Sequence, residues 1–188
     1  MKAIHVTLAA SLVAALPHVV SAEHIHADLT GYQEVPSVST PASGTFDAKI
    51  ANDDESISYE LTFSDLIGTV AQSHIHIAQP AVNGSIVVWL CQTAAAPAPA
   101  AVATITPPCP QSGTVTGTIT AANVIAASTT SQQITAGELD EVIAAIRAGV
   151  AYANVHALPL NGGGEIRGQI NASNKGGKGH GDNGHGDK

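Results

Sequence analysis

The sequence predicts an all-β domain with one short helix. Apolar residues alternate with polar ones from residue 25 to residue 170, whereas helical spacing occurs in one stretch. Clusters of Gly, Pro, Asn and Asp separate the alternating runs, as turns between strands require. Ile25, Ala27 and Leu29 face inward on a first strand, leaving His24, His26 and Asp28 outside, and Gly31 and Pro36 break the pattern. Phe46, Ala48 and Ile50 form a second strand. The polar run Asn52-Asp53-Asp54-Glu55 then turns the chain, and Ile57, Tyr59, Leu61 and Phe63 make the third strand of a hairpin. Residues 71–78 place His74 and His76 on one face and Ile75 and Ile77 on the other, while 86–90 is apolar throughout and predicts a strand buried on both faces. Residues 93–110, rich in Ala and Pro, read as a loop, and 114–120 resume a strand.

The helix is predicted over residues 135–149. Thr135 and Glu138 form a capping box, Leu139, Val142, Ile143 and Ile146 share a face, and Gly149 stands at the stop. Residues 151–157 and 165–170 are two closing strands joined by a turn at Asn161-Gly162-Gly163-Gly164.

Three segments are expected along the chain. Residues 1–22 read as a signal peptide, with Lys2, an apolar run over 6–16 and the small-residue cleavage site Val20-Ser21-Ala22. Residues 23–170 form the domain, and 171–188 a disordered Gly/His/Asp tail. The apolar run is interrupted by Pro17 and His18 and is too short to cross a bilayer, so the reading is a secreted or periplasmic protein without a membrane span. Cys91 and Cys109, an even count in an exported chain, are expected to close one disulfide, with free thiols as the alternative. Fifteen acidic residues against seven basic ones leave little to bind phosphates, which argues against a nucleic-acid partner. No acidic residue lies between Leu66 and Gly137, and no GxSxG, HExxH or phosphate-loop motif occurs, so hydrolase and kinase classes are set aside. Asn83-Gly84-Ser85 and Asn171-Ala172-Ser173 match the glycosylation acceptor pattern, which matters in a eukaryotic host.

Two imidazoles at i and i+2 on a strand project to one side about 6.6 Å apart at their α-carbons, close enough to share a metal ion. His74 and His76 form such a pair. If the closing strands neighbour this one, His156 and Asn154 join them, with Glu165 and Arg167 on the same side. Two readings follow. His74, His76 and His156 bind copper or zinc, with Glu165 as a fourth ligand or as the group orienting an imidazole; or all five charged and imidazole side chains form a hydrogen-bonded network that holds the closing hairpin in register. Glu165 and Arg167, two residues apart, read as a salt bridge. Further histidines lie at His24 and His26, near the α-amine that cleavage would free, and at His180 and His185 in the tail.

Four segments, in order, resemble the CHRD domain family, the module named from the secreted protein chordin. They are Leu29-Thr30-Gly31-Tyr32-Gln33-Glu34-Val35-Pro36; His74-Ile75-His76 followed by 84–90; Gly149 through Tyr152-Ala153-Asn154-Val155-His156; and Gly164-Glu165-Ile166-Arg167-Gly168-Gln169. The resemblance implies an antiparallel Greek-key sandwich, immunoglobulin-like or superoxide-dismutase-like. It also implies a non-catalytic binding or structural module with an unknown protein or surface partner. Copper-zinc superoxide dismutases also use a His-x-His strand, but this chain lacks their additional histidines and metal-bridging arrangement, so that activity is not expected. The chain departs from the family pattern in its Ala/Pro loop, at Ala157 and in its tail. The first strand, free of proline before Pro36 and poor in charge, is expected to offer an edge for self-association.

Overall fold

A computed structural model describes residues 22–172. The signal peptide and the tail, apart from their inner ends, lie outside these described residues. Eight main strands alternate as the sequence predicts: β1 (Glu23–Thr30), β2 (Ser43–Ile50), β3 (Ile57–Ser64), β4 (Thr69–Ile77), β5 (Ser85–Gln92), β6 (Gly113–Ile119), β7 (Ala151–Leu158) and β8 (Asn161–Gln169). A two-residue β9 (Asn171–Ala172) pairs with β1. All pairings are antiparallel along one path, β5-β4-β7-β8-β1-β2-β3-β6. The path curls until β5 and β6 approach each other, so the sheet is nearly closed and barrel-like. Where two packed sheets were expected, β1 joins the halves by pairing with β2 on one side and with β8 and β9 on the other.

That placement corrects the expectation of a free first edge. β1 is interior to the sheet, and the outer strands are β5 and β6. The β5 side is itself covered, since the Ile125 amide donates to the Val87 carbonyl and the Cys109 amide to the Gln92 carbonyl. β5 also differs from the fully buried strand predicted from its composition. Val87, Val88 and Leu90 are buried, but Ile86 and Trp89 remain partly exposed because β5 ends the sheet.

Inward residues of every strand meet in one core, led by Phe46, Phe63, Leu61, Ile50 and Ile75. The helix α1 (Leu139–Arg147) lays Leu139, Val142, Ile143 and Ile146 against it. It starts later than predicted. The Glu138 carboxylate still accepts the Thr135 amide at 2.7 Å, but the chain becomes helical only after it, and Gly149, at φ +70°, ends the element. The β7–β8 hairpin also turns earlier than its glycines suggest. Ala157 pairs with Asn161, so the turn is Pro159-Leu160 and Gly162 to Gly164 belong to the strand.

Cys91 and Cys109 form the disulfide. The 93–110 segment is further fixed by Gln92, whose carboxamide donates to Ala103 and Thr106 carbonyls and accepts the Ala98 amide. Across the barrel interior, the Tyr59 hydroxyl on β3 donates to the Leu90 carbonyl on β5 at 2.7 Å, tying distant parts of the path. Burial raises the Tyr59 phenol pKa, which keeps that proton in place. Tyr59→Phe leaves a buried carbonyl unpaired and is expected to cost about 1–3 kcal/mol. Urea unfolding measures this as a lower midpoint at unchanged slope.

Candidate metal centre

The site is built on the outward face of three adjacent strands. β7 lies between β4 and β8, in registers that set His74 opposite Asn154, His76 opposite Tyr152, and Asn154 opposite Arg167. Ile75, Ile77, Ala153, Val155 and Ile166 point to the core, so alternation sends His74, His76, Tyr152, Asn154, His156, Glu165 and Arg167 the other way. That face is nevertheless buried. His74 is 0% exposed, His76 7%, His156 5% and Arg167 1%. Two loop segments, 31–40 and 78–84, bond to these strands. Thr40 donates to Glu165, and Arg167 donates to the Gln79 and Val82 carbonyls. Asn83 links the loops to each other by donating to the Val35 carbonyl.

One donor atom from each of His74, His76 and His156 lies within 4.8 Å of the others. Their tautomers follow from their partners. His76 Nδ1–H donates to the Gly84 carbonyl at 2.9 Å and His156 Nδ1–H to the Gly162 carbonyl at 3.0 Å, which leaves both Nε2 atoms as lone pairs in the neutral rings. The His156 Nε2 accepts from His74 Nδ1 at 3.1 Å. Burial keeps all three rings neutral. It pushes the His74 pKa down to about 2, with His156 and His76 adding to the effect, and that of His76 down to about 4 against the opposing pull of the Gly84 carbonyl. Burial likewise lowers His156. Two buried ring nitrogens, His74 Nε2 and His76 Nε2, have no partner.

Aromatic rings close around the imidazoles. Trp89 meets His74 edge to face at 4.3 Å between centroids, and Tyr152 stacks on His76 at 4.7 Å. The Arg167 guanidinium carbon lies 3.3 Å from the Tyr152 ring centroid. The Tyr152 hydroxyl accepts the Gly84 amide while the Gly84 carbonyl accepts from His76, so one residue orients both rings.

The structure therefore brings the three imidazoles together, whereas Glu165 bonds elsewhere. Glu165 Oε1 accepts from Thr40 Oγ1 at 2.6 Å and the Ile67 amide at 2.7 Å, and the imidazoles are oriented by peptide carbonyls instead. Nor does Glu165 bridge to Arg167, which bonds the 78–84 loop and Tyr152. Asn154 is buried beside His76, and its Oδ1 lacks a partner. Outside this layer, His26 bonds Asp47 at 2.7 Å and Glu23 accepts from Arg147 at 2.8 Å, so these two residues serve surface contacts.

Sequence reasoning missed Glu34 and Trp89. Glu34 is 5% exposed and lies against Gly164, at φ +127°, where any Cβ would collide with its carboxyl group. Burial pushes the Glu34 pKa up to about 7, against the opposing charge of Arg167. The visible signal was Glu34 within the segment resembling the family; the contact with Gly164 joins positions too distant for any local pattern to reveal.

Glu34 gives a signed pH dependence. Its native pKa exceeds the value of 4.5 expected when unfolded, so the stability linked to its neutral form is complete below pH 4.5 and is lost as pH rises through about 7. The histidine contributions run oppositely but cancel between proteins that share them. Relative to Glu34→Gln, the natural chain should lose melting temperature between pH 4.5 and 7.5. A difference between the two that stays constant with pH refutes the assignment.

No curated protein and no solved structure matches the chain. Residues 25–170 do match the family model described as the CHRD domain, which covers most of the sequence and spans every strand from β1 through β8. The segments carrying the imidazole triad and Arg167 lie inside that match, and the chain belongs to the CHRD domain family.

Proposed function

We propose that this protein is an exported, non-catalytic CHRD module that holds one copper or zinc ion on His74, His76 and His156. The observation that carries the reading is the convergence of three buried, neutral imidazoles from β4 and β7, two of them with nitrogens lacking a protein partner. Zinc and copper bind imidazole nitrogen at about 2.0–2.1 Å, which sets neighbouring donors about 3.3–3.5 Å apart. The 3.1 Å between His74 Nδ1 and His156 Nε2 is near that spacing, ligation requires the His74 proton to move from Nδ1 to its unpartnered Nε2, and the widest separation, within 4.8 Å, has to close by up to about 1.5 Å. The Gly84 and Gly162 carbonyls supply the outer hydrogen bonds that fix ligand tautomers in metal sites.

Export is supported by the N-terminal signal pattern and by the disulfide. No helix among the described residues is long and apolar enough to cross a membrane. The rival reading, a purely structural polar layer, draws on the His74–His156 bond, which already joins the two strands.

Titration distinguishes them. In the full chain carrying His180→Ala and His185→Ala, which removes tail histidines, one equivalent of metal should bind, and His76→Ala should abolish uptake. Metal at 100 times its Kd adds about 2.7 kcal/mol of stability, read as a rise of about 5 °C or more in melting temperature. A structural layer takes up no stoichiometric metal and shows no such rise.

A further inference from the structure

We propose that the three-imidazole centre selects monovalent copper, Cu(I), over Zn(II) and Cu(II). The inference rests on the metal reading above and adds the charge of the ion. Among the described residues, the cluster contains three neutral donors and no carboxylate or thiolate. Glu165 lies outside the cluster, with its Oε1 engaged by Thr40 and Ile67; Glu34 packs against Gly164, and both cysteines are in the disulfide. A site that supplies no negative charge buries the whole charge of its ion. Because the burial cost grows with the square of the charge, a dication is penalised about four times as heavily as a monocation.

A permanent positive charge that acts on His76 strengthens this preference. Arg167, 1% exposed, lies on Tyr152, which stacks on His76. Its repulsion acts on a dication with twice the strength it exerts on a monocation. The neighbouring Glu34 offsets it poorly, since burial favours the neutral carboxylic acid.

Coordination number points the same way. Imidazole suits zinc and both copper states, so donor identity alone does not discriminate. Zn(II) takes a fourth ligand in tetrahedral sites, and Cu(II) favours tetragonal surroundings. Here Trp89 packs on His74 and Tyr152 on His76, and Asn154, buried beside His76, offers an oxygen that is neutral, so a fourth ligand drawn from it would leave the charge of a dication uncompensated. A filled-shell monocation is satisfied by three nitrogens. It binds already reduced, so loading requires no electron transfer.

The test uses the full chain with His180→Ala and His185→Ala. Cu(I) is titrated anaerobically under ascorbate against the chromophoric chelator bicinchoninate, with Zn(II) and Cu(II) measured in parallel against their own indicators. One equivalent of Cu(I) should bind, and His156→Ala and His156→Gln should remove it while retaining the far-ultraviolet circular dichroism of the parent. Cu(I) should be held about 100-fold more tightly than Cu(II), which raises the potential of the bound couple above that of aqueous copper by about 118 mV, at about 59 mV per tenfold. Removing the buried charge in Arg167→Gln should strengthen Zn(II) binding more than Cu(I) binding. Zn(II) or Cu(II) held at the triad as tightly as Cu(I) overturns this selectivity and leaves metal binding standing. Absence of any uptake sensitive to His156 overturns both.

Discussion

The outer polar layer depends on β7 being hydrogen-bonded on both sides in antiparallel register. With β4 on one flank and β8 on the other, two histidines at i and i+2 meet a third from a segment about eighty residues away. Slipping β7 by one residue against β4 would turn His156 into the apolar core and Val155 outward. The core therefore enforces the site. Ile75, Ala153, Val155 and Ile166 have to be inside, and the imidazoles take the other face as a consequence.

Alternation puts the polar side chains on one face, but loops are what bury them. The 78–84 segment is held by Arg167 and returns the Gly84 carbonyl to His76 and the Gly84 amide to Tyr152. The 31–40 segment contributes Glu34 and Thr40. The same contacts that dry the site thus orient its rings. A change in Arg167 acts on the imidazoles by two routes, through its charge and through the loop it anchors.

This division explains what was legible in the sequence. The eight strands, the buried face of α1, the disulfide and the triad all follow from period-2 or period-3.6 patterns and cysteine count, which are local properties. The partners of Glu165 were not legible because the residue was placed by face alone. Its partners, Thr40 and the Ile67 amide, come from loops whose path no alternation specifies. The free edge predicted for β1 failed for a related reason: hairpins reveal sequential neighbours, whereas β1 meets β8 across most of the chain length. Glu34 and Trp89 were hidden likewise, one in a loop and one in a strand whose apolar run disguised its position at the end of the sheet.

The unpaired atoms weigh against a merely structural layer. Buried polar groups are nearly always hydrogen-bonded, and a partly satisfied network is less favourable than apolar packing of the same shape. Among the described residues, the buried side-chain atoms without a partner are Glu34 Oε1, His74 Nε2, His76 Nε2, Asn154 Oδ1 and Glu165 Oε2, all in this one layer. If its task were to hold β4, β7 and β8 together, valine and leucine at the imidazole positions would do so without stranding nitrogen lone pairs. The carbonyl bonds at Gly84 and Gly162 use one nitrogen of each ring and direct the other into the cluster. That orientation is what the proposed ligand role would use, and it leaves His76 Nε2 without the hydrogen bond that a structural network would complete.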